Sequence, residues 1–255
     1  MLYDCERCSL CLACVRACPT GALSRNGDRL DFDSSLCTGC GMCVSACPNA
    51  ARRITGNEMS VDDVMKVVLR DMPFYRRSGG GITLGGGEPL AQPAFSTDIL
   101  TRAHDMGIDT AVETSGYAGT KTLMAIFERA DHVMFDVKHA DPRRHLQLTG
   151  VSNELILDNL KAALLAHPDV TVRYPLIPGC NASYEDLVAL GTHLARLPDP
   201  PRVEIVPYHR FGEHKYRLLG RVYTLKGASA CDADEAEDAC RVLRQFDLPC
   251  APIAL

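Results

Sequence analysis

No tryptophan occurs in this 255-residue sequence, and that absence bears on no function. More telling is the lack of any apolar run long enough to cross a bilayer, and of a leader-like amino terminus. A large charge excess is missing too. Against 27 basic side chains stand 32 acidic ones, and a net charge of −5 makes no electrostatic case for nucleic acid. Cysteine is not scarce, but it lacks the even spread of a secreted disulfide scaffold: nine of the 13 lie before residue 48. The expectation is a protein of the reducing cytoplasm, in an anaerobe or an anaerobically growing cell, with neither membrane nor nucleic acid as partner. What remains, 46% hydrophobic residues with 20 Gly and 15 Pro, is ordinary for a globular α/β protein.

The crowded cysteines are ordered. Cys8, Cys11, Cys14 and Cys18 precede Pro19; Cys37, Cys40, Cys43 and Cys47 precede Pro48. Each run reads Cys-x2-Cys-x2-Cys-x3-Cys-Pro, the spacing of bacterial two-cluster ferredoxins, and the copies are offset by 29 residues. Three thiolates two residues apart wrap one corner of an iron-sulfur cube. The fourth, a helical turn further on, reaches across to the other cluster. Cys8, Cys11, Cys14 and Cys47 are therefore expected on one [4Fe-4S] cluster, and Cys18, Cys37, Cys40 and Cys43 on the other. Disulfide or zinc readings explain neither the four-fold run nor the proline after it. Residues 19–23 and 48–51 are expected to form the short helices of the module. Cys5 reads as a bystander that could compete as a ligand. Cys180, Cys231, Cys240 and Cys250 have no cluster spacing and read as small buried apolar residues.

Beyond Arg53 the pattern changes to apolar runs of about five residues alternating with amphipathic stretches, the signature of β-α units on a parallel sheet. Helices are predicted over 60–71, 93–104, 120–129, 153–166, 183–196 and 234–245. Strands are predicted over 81–84, 109–113, 132–136, 170–177 and 203–206. The expected domains are a two-cluster module over 1–55 and an α/β domain over 56–255.

In β/α barrels, full or partial, chemistry gathers where the strands end. Here those ends are polar. The first runs into Gly85-Gly86-Gly87-Glu88-Pro89, the second into Glu113-Thr114-Ser115-Gly116, the third into Asp136-Val137-Lys138-His139. The fourth carries Arg173 and ends in Pro178-Gly179-Cys180-Asn181; the fifth ends in Pro207-Tyr208-His209. Charges gathered on one rim are costly unless they meet a ligand or each other. The glycine run lets backbone approach a ligand, and its N–H and C=O groups suit an amino acid's carboxylate and ammonium.

Gly86-Gly87-Glu88-Pro89 resembles the GGEP motif of radical S-adenosylmethionine (SAM) enzymes. With Glu113-Thr114-Ser115-Gly116, Asp136-Val137-Lys138-His139, Arg173 and His209, in that order behind a doubled ferredoxin motif, the whole chain resembles the glycyl-radical-enzyme activating enzymes. The relatives in question carry an inserted two-cluster ferredoxin domain. The resemblance implies an α/β fold, a partial (β/α) radical SAM barrel preceded by a small 2[4Fe-4S] module. It implies SAM bound by Gly86, Gly87, Glu88, Asp136, Val137, Lys138 and His209, with Arg173 close by. It also implies a monovalent-cation site at Glu113, Thr114, Met134 and Asp136, although some relatives have Asp where Glu113 stands.

The implied activity is formation of a glycyl radical on a partner enzyme by hydrogen abstraction, with flavodoxin or ferredoxin as electron donor. One part of the pattern is missing. The family holds its SAM-cleaving third [4Fe-4S] cluster with Cys-x3-Cys-x2-Cys, and that spacing is absent from these 255 residues. The expectation is an incomplete form, without the family's first strand and the three ligands after it. The rival reading is a non-catalytic two-cluster electron carrier on a degenerate barrel.

Overall fold

The computed structural model describes residues 1–253; the last two residues expected in the second domain, 254 and 255, lie outside the described residues. The chain divides into two compact units, the first made of residues 1–58 and 210–227, the second of 59–209 and 228–255. A segment well past the boundary at residue 55 thus groups with the amino-terminal unit.

In the first unit, β1 (Leu2–Tyr3) pairs antiparallel with β4 (Arg52–Arg53), and β2 (Leu23–Asn26) with β3 (Arg29–Phe32) through a turn at Gly27 and Asp28. The one-turn helices are Ala13–Arg16 and Met42–Ser45, each carrying the third cysteine of its run. The expected helices over 19–23 and 48–51 are not there. Proline disfavours helical geometry in the residue before it, and each turn ends short of the fourth cysteine. After it residues 19–20 form a turn and residue 23 enters β2. The 29-residue repeat extends to the backbone. Leu10 and Leu12 hold positive φ (54° and 61°) where the second copy has Gly39 and Gly41 (73° and 75°), and Gly21 matches Ala50.

The second unit is a six-stranded parallel sheet: β5 (Gly81–Leu84), β6 (Asp109–Thr114), β7 (His132–Asp136), β8 (Val170–Leu176), β9 (Arg202–Pro207) and β10 (Cys250–Pro252). The strands neighbour one another in chain order, β5 at one edge and β10 at the other. Every crossover steps the same way, which is the winding of a barrel and not of a doubly wound sheet. Five of the strands follow the apolar runs. The sixth escaped sequence analysis because a three-residue strand is too short to show a period.

Helix starts follow capping chemistry. Ser60 and Asp63 form a reciprocal capping box on Val61–Val68, and Asp232 with Glu235 does the same on Ala233–Arg244. Ser183 caps Tyr184–Leu194. Three short helices went unpredicted: Met72–Ser78, Pro142–Thr149 and Glu213–Leu218.

Burial alternates along the strands, strictly so in β6. One face carries Val112, Phe135, Val172, Tyr174, Val203 and Ile205, all 0% exposed, and forms the main core with residues of the packed helices. The opposite, half-buried face carries Glu113, Asp136, Arg173 and Glu204. The loop after β6 is tied to this core through Gly116, at φ +69°, where an added Cβ would lie 2.1 Å from the Phe135 ring. Gly116→Ala should therefore cost both overpacking and left-handed strain, roughly 2–4 kcal/mol. Gly107→Ala has the same φ and nothing within 4 Å, and should cost about 1–2 kcal/mol. Denaturation midpoints of the two variants check this; equal losses would contradict the Phe135 contact.

Candidate functional site

The first unit holds two small cavities, of about 10 and 20 Å³. Cys8, Cys11, Cys14 and Cys47 line one; Cys18, Cys37, Cys40 and Cys43 line the other. The backbone serves these sulfurs in matching ways. The N–H of Leu10 donates to Cys8 Sγ and that of Gly39 to Cys37 Sγ, both at 3.4 Å, and Ala51 donates to Cys47 Sγ at 3.2 Å. Hydrogen bonds from Thr20, opposed by burial and helped by the backbone of Ala22 and Leu23, lower the Cys18 thiol's pKa. Such donors favour thiolate, the form that binds metal. Among the described residues no three His, Cys, Asp or Glu side chains are placed to hold a single ion. A cubane sets its thiolates around the outside of a cage, not around a point.

A second observation tests the fit of an anionic cluster. Arg52 is 1% exposed, lines the Cys8 cavity, and has no hydrogen-bond partner at Nε, Nη1 or Nη2. A buried guanidinium without a counter-charge costs several kcal/mol. A thiolate-ligated iron-sulfur cluster supplies negative charge and sulfur acceptors at that place, so the residues present fit the group.

The second unit's polar face is organised by Arg173. Its Nη1 donates to Glu113 at 3.2 Å, reaching across β7, and its Nε donates to Glu204 at 2.9 Å. Register sets Asp136 opposite Arg173, and Arg173 opposite Glu204. Lys138 Nζ donates to Asp136 at 3.2 Å. Burial lifts the Asp136 carboxyl above the ordinary aspartate range; Lys138 and Arg173 draw it back and Glu113 adds to the rise. Val137 points its side chain into the core and donates its N–H to the Arg173 carbonyl at 2.9 Å, so what it offers the rim is backbone. His209 is half-buried two residues past β9. Above Gly86, at φ +82°, and Gly87 a Cβ would meet nothing within 4 Å, so this turn keeps open space.

Glu88 works inward. Its carboxylate accepts from Thr114 Oγ1 and Ser115 Oγ at 2.6 Å, from Ser115 N at 2.9 Å and from Leu90 N at 3.1 Å. Burial resists its ionisation, but the Ser115 and Thr114 bonds win and hold it below the usual glutamate value. It clamps the turn after β5 to the turn after β6. Three buried asparagines brace the remaining turns. Asn159 Nδ2 donates to Gly116 and Ala118, Asn153 Nδ2 to His139 and Ala140, and Asn181 Nδ2 to Lys138 and Pro175. His139 is buried, accepts from the Asp141 N–H at Nδ1, and pairs through Nε2 with Asp186 at 3.1 Å.

Sequence reasoning missed Arg52, for nothing in the pattern distinguishes it from exposed Arg53. It gave Glu204 no role, although a lone acid in Val203-Glu204-Ile205 was a signal. Of the late cysteines, Cys231, Cys240 and Cys250 are buried, while Cys180 is half-buried because it sits on the turn after β8.

Residues 35–191 match the family model of the radical SAM superfamily, and residues 5–51 that of a 4Fe-4S dicluster domain. The choline trimethylamine-lyase activating enzyme of Oleidesulfovibrio alaskensis is 40% identical over 99% of this chain and 84% of its own length. The chain belongs to the glycyl-radical-enzyme activating enzymes of the radical SAM superfamily. The (2S)-3-sulfopropanediol sulfolyase activating enzyme of Bilophila wadsworthia is 44% identical, over 91% of this chain and 78% of its own. A crystal structure of a domain of the Bacteroides vulgatus pyruvate-formate lyase-activating enzyme superposes with a TM-score of 0.58 at 28% identity, covering 69% of this chain and 99% of that one. Membership makes iron-sulfur clusters and SAM the cofactors, and radical chemistry directed at a partner enzyme the activity. The electron-carrier reading gives way. Among the described residues no helix is long and apolar enough to cross a membrane.

The buried Asp136 makes a testable trade. Its carboxyl ionises later in the fold than in the unfolded chain, where aspartate titrates near about 3.9. Its charge therefore costs stability above the folded value, and the cost fades as pH falls toward the unfolded one. Asp136→Asn should raise the Tm of the cofactor-free protein at pH 7, with the gain shrinking as pH falls toward about 4. A lower Tm at pH 7 would contradict the desolvation argument.

Proposed function

We propose that this chain activates a glycyl radical lyase, with two [4Fe-4S] clusters in the first unit and SAM on the polar face of the second. One cluster is assigned to Cys8, Cys11, Cys14 and Cys47, the other to Cys18, Cys37, Cys40 and Cys43. The observation that carries the SAM assignment is the convergence of Glu113, Asp136, Lys138 and Arg173 on one half-buried face, beside the open turn at Gly86 and Gly87. When bound, these cofactors supply the electron and the 5′-deoxyadenosyl radical that takes a hydrogen atom from a backbone glycine of the partner.

The chain's own residues bind and orient. Gly86 and Gly87 bring backbone polar groups within reach of the SAM amino group, and Glu88 holds that turn in place. Lys138 offers its ammonium to the SAM carboxylate. His209 contacts SAM from the end of β9, and Val137 contributes backbone. Asp136, reluctant to ionise in its buried place even beside Lys138, gains from a further positive charge. That charge is the SAM ammonium or a monovalent cation held with Glu113, Thr114 and Met134. Arg173 keeps Glu113 and Glu204 fixed on either side.

Flavodoxin or ferredoxin is the proposed electron donor, and the cytoplasm the proposed site of action. The partner proposed is a lyase of the kind for which the choline and sulfopropanediol relatives are named. The cysteines of a third cluster, spaced Cys-x3-Cys-x2-Cys, are not among these residues. Radical formation is accordingly proposed for a form that carries them.

Anaerobic reconstitution of the 255-residue chain should give about 8 Fe per chain, and about 12 in a form with the additional motif. About 4 Fe in the shorter form would overturn the two-cluster assignment. In the longer form, Lys138→Ala or His209→Ala should weaken SAM binding roughly ten- to a hundred-fold with the iron count unchanged. Unaltered affinity in both would mean that the polar face binds something else.

A further inference from the structure

The two cysteine cavities differ in one respect that the repeat does not explain. The Cys18, Cys37, Cys40 and Cys43 cavity has no charged side chain in its lining, only groups such as Met1, Thr38 and Phe32. The Cys8 cavity contains Arg52, which heads the fully buried side chains by volume. Its guanidinium carbon lies 4.7 Å from the centre of the Tyr3 ring, so one flat side is stacked on an aromatic face. No carboxylate lines the cavity, and none of the guanidinium nitrogens has a partner. Arg16, which donates to the Cys11 carbonyl at 3.2 Å, is exposed and screened by water. Arg52 is the buried charge on that side.

Resting on the two-cluster reading above, we propose that Arg52 is the built-in counter-ion of the cluster held by Cys8, Cys11, Cys14 and Cys47. It sets that cluster's reduction potential above that of its neighbour. The four thiolates give such a cluster net negative charge, and taking up one electron from a low-potential donor adds one unit more with no bond made or broken. A fixed positive charge in a desolvated cavity favours the more negative state. Hydrogen bonds to the sulfurs act in the same direction, while solvent exclusion by itself opposes added negative charge and magnifies the effect of the fixed one. Arg52 thereby makes this cluster the first of the two to hold an incoming electron.

The test is potentiometric titration of the reconstituted chain, followed by electron paramagnetic resonance, with iron counted on the same samples. Wild type should show two separated one-electron couples. Arg52→Met, which keeps much of the volume and drops the charge, should lower the upper couple and close most of the separation. The expected shift is at least tenfold in the reduced-to-oxidised ratio, about 59 mV for one electron. Arg52→Lys should preserve the separation. Couples unchanged in Arg52→Met at about 8 Fe per chain would overturn the proposal. About 4 Fe in wild type would instead be failure of the two-cluster reading. If Arg52→Met loses iron and Arg52→Lys keeps it, the charge is what the cavity requires and the proposal stands; iron lost from both overturns it.

Discussion

In a pleated strand, a slip of one residue carries every side chain to the opposite face. Arg173 shows what such a slip would cost here. Its neighbours Val172 and Tyr174 are sealed in the core, and its own guanidinium is held by carboxylates from β6 and β9. Moving β8 by one position would bury that charge under the helices and push a tyrosine into the polar face. The apolar core thus fixes the register, and the register fixes which charges share a face. Because the strands follow one another in space in chain order, that face collects one contribution from each β-α unit. Parallel winding gives the polar rim its composition; no single loop does.

The rim is braced from behind by Glu88 of the glycine-rich motif and by asparagines whose role sequence patterns do not single out. Glu88, Asn153, Asn159 and Asn181 spend their hydrogen bonds on backbone and hydroxyl groups of the turns that follow β5 to β8. Fully buried amides leave little freedom in the turns they hold, since an unmet donor in that environment costs about 1–3 kcal/mol. Lys138 and Gly86, by contrast, keep open sides. Rigid turns with unencumbered tips suit a site that must accept a ligand without rearranging.

What could be read in the sequence follows from what leaves a local mark. Cysteine spacing does, because a four-point ligand set on a short loop dictates intervals. Helix starts do, through Ser60, Ser183 and Asp232. Strand ends do, because polar residues interrupt apolar runs at Glu113 and Asp136. The strand Cys250–Pro252 left no mark, since three residues have no period and owe their conformation to pairing with β9. The one-turn helices, expected over 19–23 and 48–51, lie instead before Pro19 and Pro48. Arg52 was invisible for a different reason. It lies over the Tyr3 ring and shares a cavity with Cys8 and Leu30, residues far from it in sequence, so nothing local marks it.

The leucines at positive φ have a consequence for how the two halves of the repeat hold their shape. Left-handed backbone costs an ordinary residue roughly 1–2 kcal/mol, and glycine almost nothing. The loop through Gly39 and Gly41 can therefore take up its bound conformation as one of many it visits freely. The loop through Leu10 and Leu12, at φ 54° and 61°, cannot. Its geometry is sprung, and what holds the spring shut is the packing of both leucines against the small core around Cys14 and Leu30. Two loops of near-identical outline are thus different mechanical objects. One is free to hinge; the other is a clasp held by its own packing.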